Sequence, residues 1–542
     1  MTLHVSPSLS RRHFLRGTTA LGLATTIAPP SLVDFARAQA QPARSIADAN
    51  WSKLAGELVG PLLRPKDSPF QRFAAPYNLA YADLLPAGIA VCATPQDVAA
   101  SIKWARDNDV PLIARAGGHS YAGYSTTNGL MIDVSGMRAY HWDAPGRRVT
   151  FAAGARNEDL YGILAKANRT MTHGRCPTVG AAGFLLGGGI GFNMRLYGVA
   201  SDHLVASEIV TADGDILKLS EHENADLFWA CRGGGGGNFG INTSFTVDVF
   251  DTSPATVFQA VWTGTAAQMA KVGYLLMERL TDAPHEFGSR FAITAPNPRG
   301  CVQQFGANII GQFRGLGDKT AIIEAMLGPA LHAAAKPQKV DKIPAPVCGP
   351  SAQEASCFYR IEHMPYWDAQ TKFLIDTDKP FAFHERSAFL TDKLTLRDFE
   401  RAVDLMTGWK GTNDVDPPSP DQPLNADLRF FQTGGEMNRI GASKTAFFHR
   451  GSRWLMDSGL PFTAADPAEL VQANVEWQNR FYDAMRPLST GYAYQNFIDP
   501  ALEDPMHAYY GRNLGMLRDV KTKYDRNNVF KFAQSIPPAP LK

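Results

Sequence analysis

Two stretches decide how this chain is read: Ala114-Arg115-Ala116-Gly117-Gly118-His119-Ser120, and Gly174-Arg175-Cys176-Pro177-Thr178-Val179-Gly180 just ahead of Gly187-Gly188-Gly189-Ile190-Gly191. The first continues an apolar strand pattern, Pro111-Leu112-Ile113-Ala114-Arg115, which puts His119 at a strand end, where binding loops usually lie. Glycines at these spacings let backbone N–H groups come close to a phosphate. A histidine and a thiol beside such backbone suggest a cofactor bonded to the protein rather than merely bound. A flavin is the candidate.

Outward from these loops, residues 51–250 alternate strand and helix signals. Gly88-Ile89-Ala90-Val91 predicts a strand, and Thr94 caps a helix with Pro95 at its first position and Val98, Ile102 and Ala105 on one face. Thr211 to Leu217 predicts a hairpin turning at Asp213-Gly214. Asn224 is expected to cap a short helix through Ala230, which leads into the tract Gly233 to Gly237 and a strand from Ile241 to Phe250. Gly235-x-Gly237-x-x-Gly240 matches the dinucleotide fingerprint as a string. That fingerprint needs a strand before it and a helix after it, and here the order is reversed, which argues against a nicotinamide site.

Residues 255–466 hold strand patterns at Gly288 to Thr294 and Asn308 to Phe313, with amphipathic helices at Lys319 to Met326 and Arg397 to Gly408. Pro337 to Ala352 and Asp414 to Pro423 are polar and proline-rich, the signature of surface loops or lids. A sheet with helices on one face suits a substrate cap. Later, Tyr492-Ala493-Tyr494-Gln495-Asn496-Phe497 alternates as a strand, with Tyr492, Tyr494 and Asn496 on one face. A helix through Leu517 and Val520 precedes the tail Asp525-Arg526-Asn527-Asn528-Val529-Phe530.

The 542 residues, 45% apolar with a formal net charge of +1, are enough for two or three domains and carry no long basic block. Nucleic acid and anionic membrane surfaces are therefore not expected partners; a small neutral molecule is. At the start, Ser10-Arg11-Arg12-His13-Phe14-Leu15-Arg16 is a twin-arginine run, followed by an apolar stretch from Gly17 to Ile27 and by Ala38-Gln39-Ala40, a small-residue cleavage site. The apolar stretch is too short for a bilayer core that needs about twenty residues, so no stable membrane anchor is expected. The expected route is the twin-arginine export machinery, leaving a periplasmic or secreted protein cleaved near Ala40. That machinery carries folded proteins, which lets a cofactor be loaded first. Six cysteines remain, without CxxC spacing; no metal site is read from them, and Cys348 with Cys357 is a possible small disulfide loop.

With these motifs in order, the chain resembles the berberine-bridge-type FAD-linked oxidases of the vanillyl-alcohol-oxidase superfamily, in bacterial form with a twin-arginine signal. The resemblance rests on the His119 loop, the Cys176 loop with its glycines, Asp226-Leu227-Phe228-Trp229-Ala230 with the glycine tract, and the tail Lys521 to Pro537. It implies an α+β fold: a two-part FAD-binding domain of the PCMH type over residues 51–250, and a substrate domain of antiparallel sheet covered by helices over 255–470. A C-terminal segment, 471–542, returns to the FAD domain, and residues 1–40 are the signal.

The resemblance further implies FAD attached twice, His119 to the 8α-methyl carbon and Cys176 to ring carbon C6. The cofactor-binding set it carries over is Arg115, Ala116, Gly117, Gly118, Ser120, Gly123, Thr178, Val179, Gly180, Gly183, Gly188, Gly191, Gly240, Ile241, Asn496 and Asn528. Arg115 and the amides around Gly117, Gly118 and Gly123 are expected to neutralise the diphosphate. A hydroxyl-bearing substrate, a sugar or another alcohol, is expected to give hydride to the flavin and its proton to Tyr494, with Tyr492 second and Arg450 the positive group offered to that phenol. Val179, where relatives that react with oxygen tend to carry valine, favours O2 as acceptor and hydrogen peroxide as product. The alternatives are a dehydrogenase using another acceptor, oxidation of an amine or alkaloid, and a non-catalytic flavin-binding protein. Asp525-Arg526-Asn527 stands where the family commonly has Asp-Pro-Asn, which loosens a turn rather than the chemistry.

Overall fold

Gly88–Val91 and Leu112–Arg115 flank Leu130–Asp133 as parallel strands, with Leu62–Leu63 antiparallel at the edge. These short strands are almost wholly buried, as their continuous apolar runs require. Pro95–Asp107 covers them: the Thr94 hydroxyl accepts from the Asp97 N–H at 3.1 Å, and Val98, Ile102 and Ala105 are fully buried. The computed structural model describes residue 46 and residues 49–300, 302–346, 354–376, 379–413 and 424–540. The signal motif, Cys348 and the loop Asp414 to Pro423 lie outside the described residues.

A second sheet is antiparallel, in the order Tyr140–Trp142, Arg148–Ala152, Ile241–Asp248, Leu204–Val210, Ile216–Ser220. Its last two strands form the expected hairpin, with Gly214 at φ 76° in the turn. Asn224 does not cap its helix by side chain. Its own φ is 50°, and its Nδ2 donates at 2.9 Å to the Lys218 carbonyl, the local side-chain bond an asparagine makes when it takes a left-handed turn. The glycine tract does join helix Ala225–Ala230 to strand Ile241–Asp248, the order that argues against a nicotinamide site.

Residues 255–462 build an eight-stranded sheet, antiparallel but for the edge strand Gln338–Lys339. Helices Ala266–Leu280, Thr320–Leu331, Leu396–Met406 and Ala468–Met485 cover one face through an apolar core that includes Trp262, Phe291, Phe430 and Trp454. The other face carries polar side chains at alternate positions and looks into the molecule. Helix Ala468–Met485 buries Trp477, Phe481 and Met485 in this core, so the return to the first domain begins after it and not at residue 471. Cys357 is a free buried thiol on the sheet.

Beyond that helix, Tyr509, Leu517, Val520, Phe530 and Ile536 join the core of the first two sheets. Lys521, fully buried, donates to the carbonyls of Asn238 and Phe530 and to Asp525 Oδ2, each at 2.7 Å. Asp525 in turn accepts from the N–H groups of Val529 and Phe530 at 2.7 and 2.9 Å, which shapes the tail turn without the proline.

Candidate active site

The His119 and Cys176 loops touch backbone to backbone. A Cβ on Gly117 would fall 2.2 Å from the Gly180 nitrogen, so only glycine permits this approach. The His119 ring stacks on Tyr77 with centroids 3.9 Å apart, and its Nε2 lies 2.7 Å from the Thr178 hydroxyl of the opposite loop. Burial, with Arg156 and Arg115 adding repulsion, lowers the imidazole to about 3, so it is neutral at physiological pH. Cys176 Sγ lies 3.9 Å from Asp376 Oδ2, and Asp376 pairs with Arg175 at 2.9 Å.

His119 and Cys176 line one cavity of about 1810 Å³ between the first two sheets and the polar face of the third. Ordinary small-molecule pockets run to about 300–1,000 Å³, so a dinucleotide and a substrate both have room. Ala116, Gly117, Gly118, Ser120, Val179, Gly180, Gly183, Gly191, Gly240, Ile241 and Asn496 line it as expected. Gly183 has nothing within 4 Å of where a Cβ would stand, and Gly237 has only the Ala114 Cβ at 3.9 Å, leaving open space beside the glycine tract. This cradle, with a neutral imidazole and a thiol at its wall, fits FAD, which supplies two-electron oxidation when bound.

Five expected site residues stand elsewhere. Gly123, at φ 72°, packs against Tyr81, and Gly188, at φ 113°, against Phe447, so both shape loops rather than line the cavity. Thr178 stands behind His119 and holds it. Asn528 takes φ 53° in the tail turn, away from the lining, because the Asp525 cap needs a left-handed residue there. Tyr492 packs on Phe448 and His507. Arg115 reaches the cavity wall, but its guanidinium is taken up by the carbonyls of Ala74 and Ala75 and so braces the loop instead of facing a diphosphate.

The expected strand Tyr492 to Phe497 is a turn, with the Phe497 N–H on the Tyr494 carbonyl at 2.9 Å. Gln495 and Asn496 break the alternation by donating their side chains to the carbonyls of Gly233 at 2.7 Å and Phe184 at 3.0 Å. Tyr494, 1% exposed, accepts hydrogen bonds at 3.1 Å from the Gly189 N–H and Asn496 Nδ2, and burial pushes its phenol up to about 12. Arg450 cannot lower it, since its guanidinium is bound by Asp202 at 2.6 Å. Tyr494 lines the cavity as expected and also braces the Gly189 loop, its ring joining Ile190, Phe389 and Phe447 in a small apolar cluster.

The carboxylates that the sequence reading missed stand on the polar face of the large sheet. Glu385 lines the cavity and takes Arg429 at 2.5 Å through both oxygens; Arg429 also lies 3.1 Å from Asp427 and 3.3 Å from Asp457. Both Asp457 oxygens lack an aligned hydrogen bond among the described residues. Burial pushes Glu385 well up and Asp457 up to about 6, with Arg429 opposing the rise and neighbouring carboxylates adding to it. Tyr121, stacked on Phe497 at 5.3 Å, feels the same charges. Charged residues at alternate strand positions, Asp427 and Arg429, were the available signal; that Glu385 and Asp457 join them depends on strands far apart in sequence.

Comparison with known proteins agrees with this architecture. A family described as FAD binding domain matches residues 86–220, and one described as berberine and berberine like matches residues 493–537. The FAD-linked oxidoreductase YvdP of Bacillus subtilis is 30% identical over 466 residues, 85% of this chain and 94% of that protein. The chain belongs to the berberine-bridge-like family of FAD-linked oxidases. Among relatives of this family, the glucooligosaccharide oxidase of Sarocladium strictum is 28% identical over 84% of this chain and 88% of its own. The berberine bridge enzyme of Eschscholzia californica shares the fold, with a TM-score of 0.74 at 22% identity, covering 90% of this chain and 99% of that one.

Proposed function

We propose that this FAD-linked oxidase carries its flavin bonded at both His119 and Cys176 and oxidises a hydroxyl group of a small molecule, a sugar or related alcohol, with dioxygen as acceptor. The observation that carries the reading is the contact of the two loops at Gly117 and Gly180, which presents imidazole and thiol to one cavity. Two attachments would fix the cofactor without enclosing it and leave the wide cavity open to a bulky substrate. The named activity of the glucooligosaccharide oxidase supports the substrate class. Val179 in the lining supports oxygen, and the Arg11-Arg12 motif supports twin-arginine export before cleavage near Ala40.

In this reading the hydroxyl proton goes to Glu385, with Asp457 behind it and Arg429 holding both. Such a pair titrates as a unit, and burial makes it more basic than an exposed carboxylate, as a general base requires. The test is intact mass after acid denaturation, with anaerobic bleaching of the flavin by a panel of sugars, alcohols and amines. Retained FAD mass in wild type and in each single variant, His119→Ala and Cys176→Ala, with release from the double variant, is the expected result. A bare mature chain mass defeats the covalent reading, and absence of bleaching by any hydroxyl compound defeats the substrate class.

A further inference from the structure

Arg290 lies on the cavity face of strand Phe287–Thr294, across from Phe431 on one neighbour and Ile310 on the other. Its Nε is buried without a hydrogen-bond partner among the described residues. Asp376 and Asp427 act on it electrostatically, yet each is bound to another arginine, Asp376 to Arg175 at 2.9 Å and Asp427 to Arg429 at 3.1 Å. Two other arginines of the wall are engaged, Arg115 with two carbonyls and Arg360 with Gln259 at 3.0 Å and Glu362 at 3.7 Å, while Lys342 and Lys379 also line it. Burial and the repulsion of Arg175 and Arg429 both work against the charge on Arg290. A partly buried guanidinium without its own carboxylate is a standing cost that an incoming anion removes.

Its position is also apt. Arg290 is within electrostatic reach of the Arg175–Asp376 pair beside Cys176 and of Arg429, which holds the proposed base Glu385. The planar fork of a guanidinium matches a carboxylate in two parallel hydrogen bonds. We propose that Arg290 anchors an anionic group of the substrate, so that this oxidase takes hydroxyl compounds that also carry a carboxylate. The inference rests on the proposed oxidation of a hydroxyl substrate and narrows it. Arg290 also has a competing role: its charge favours the ionised form of Asp457.

The experiment titrates the flavin-loaded protein without air with matched pairs that differ only in charge, glucuronate against methyl glucuronate and mandelate against methyl mandelate. Binding is read as a shift of the flavin absorbance band, and reduction as its bleaching. At least one acid is expected to bind about tenfold more tightly than its ester, Arg290→Gln to remove that preference, and Arg290→Lys to restore part of it. Equal binding of acid and ester, no binding by either pair, or a preference that survives Arg290→Gln overturns the proposal. So does a variant in which acid and ester lose turnover alike with one common shift of the pH profile, because Arg290 then serves Asp457 only. An acid preference lost in Arg290→Gln, with no bleaching by any panel compound, keeps the anion site and removes the hydroxyl reading; bleaching by esters without acid preference does the reverse.

Discussion

The Thr178 hydroxyl stands 2.7 Å from Nε2 of His119, so the loop that carries the thiol also fixes the imidazole of the other loop. A hydrogen bond at one ring nitrogen settles the state of the second. Thr178→Val should therefore lower the fraction of chains linked through His119 while Cys176 still retains FAD. Peptide mapping of the flavinylated sites measures this, and an unchanged His119 fraction counts against the role.

Gly117 and Gly180 meet where no Cβ fits. Gly117→Ala is expected to destabilise by about 1–3 kcal/mol, the range for forced overpacking, and to reduce flavin retention. Gly162, inside helix Asn157–Lys166 with nothing within 4 Å of its Cβ position, is the control. Gly162→Ala should be neutral or stabilising by about 0.5–1 kcal/mol. Denaturant midpoints with matched slopes report both.

Tyr494 and Glu385 separate bracing from proton transfer. Tyr494→Phe leaves the Gly189 N–H and one of the two N–H donors of Asn496 Nδ2 unpaired and should cost about 1–3 kcal/mol of stability with a small effect on turnover. Glu385→Gln should lower kcat by about 10²–10⁴, and since it takes a carboxylate from buried Arg429 its unfolding midpoint is read beside turnover. Stopped-flow flavin reduction decides; a larger kcat loss in Tyr494→Phe would return the base to the phenol.

Asp457 makes the stability depend on pH in a known direction. Its carboxyl sits at about 6 in the folded chain against an ordinary 3.8, chiefly through burial. Between those values the folded chain holds the extra proton, so this group's contribution is present in acid and lost as pH rises through about 6. Asp457→Asn never ionises. It should gain thermal stability over wild type more at about pH 7 than at about pH 4, and a gap of the opposite sign rejects the assignment.

Lys521 and Asp525 form an ion pair at 2.7 Å with both side chains fully buried. Lys521→Met strips the partner from a buried carboxylate and should cost about 3–5 kcal/mol. Because Lys521 also holds the carbonyl of Asn238, at the end of the glycine tract, flavin content should fall with stability. Flavin absorbance per chain and the unfolding midpoint check the two effects together.

Local signals determined much of this protein. Glycine spacing, the Thr94 cap, the Asp213-Gly214 turn and the strand into His119 were legible because each depends on residues within a few positions of one another. The same holds for His119 and Cys176, which stand in their own glycine-rich loops and line one cavity. The Tyr492 to Phe497 alternation misled because side-chain bonds of Gln495 and Asn496 to distant carbonyls replaced the strand ladder. Only the tertiary structure gathered Glu385, Arg429, Asp457 and Arg290 onto one face, since sheet register pairs strands separated by dozens of residues. Burial then shifted the carboxyls, engaged Arg115 and Arg450 elsewhere, and left Arg290 facing the cavity; solvent exclusion of this kind arises from packing, and no local pattern encodes it.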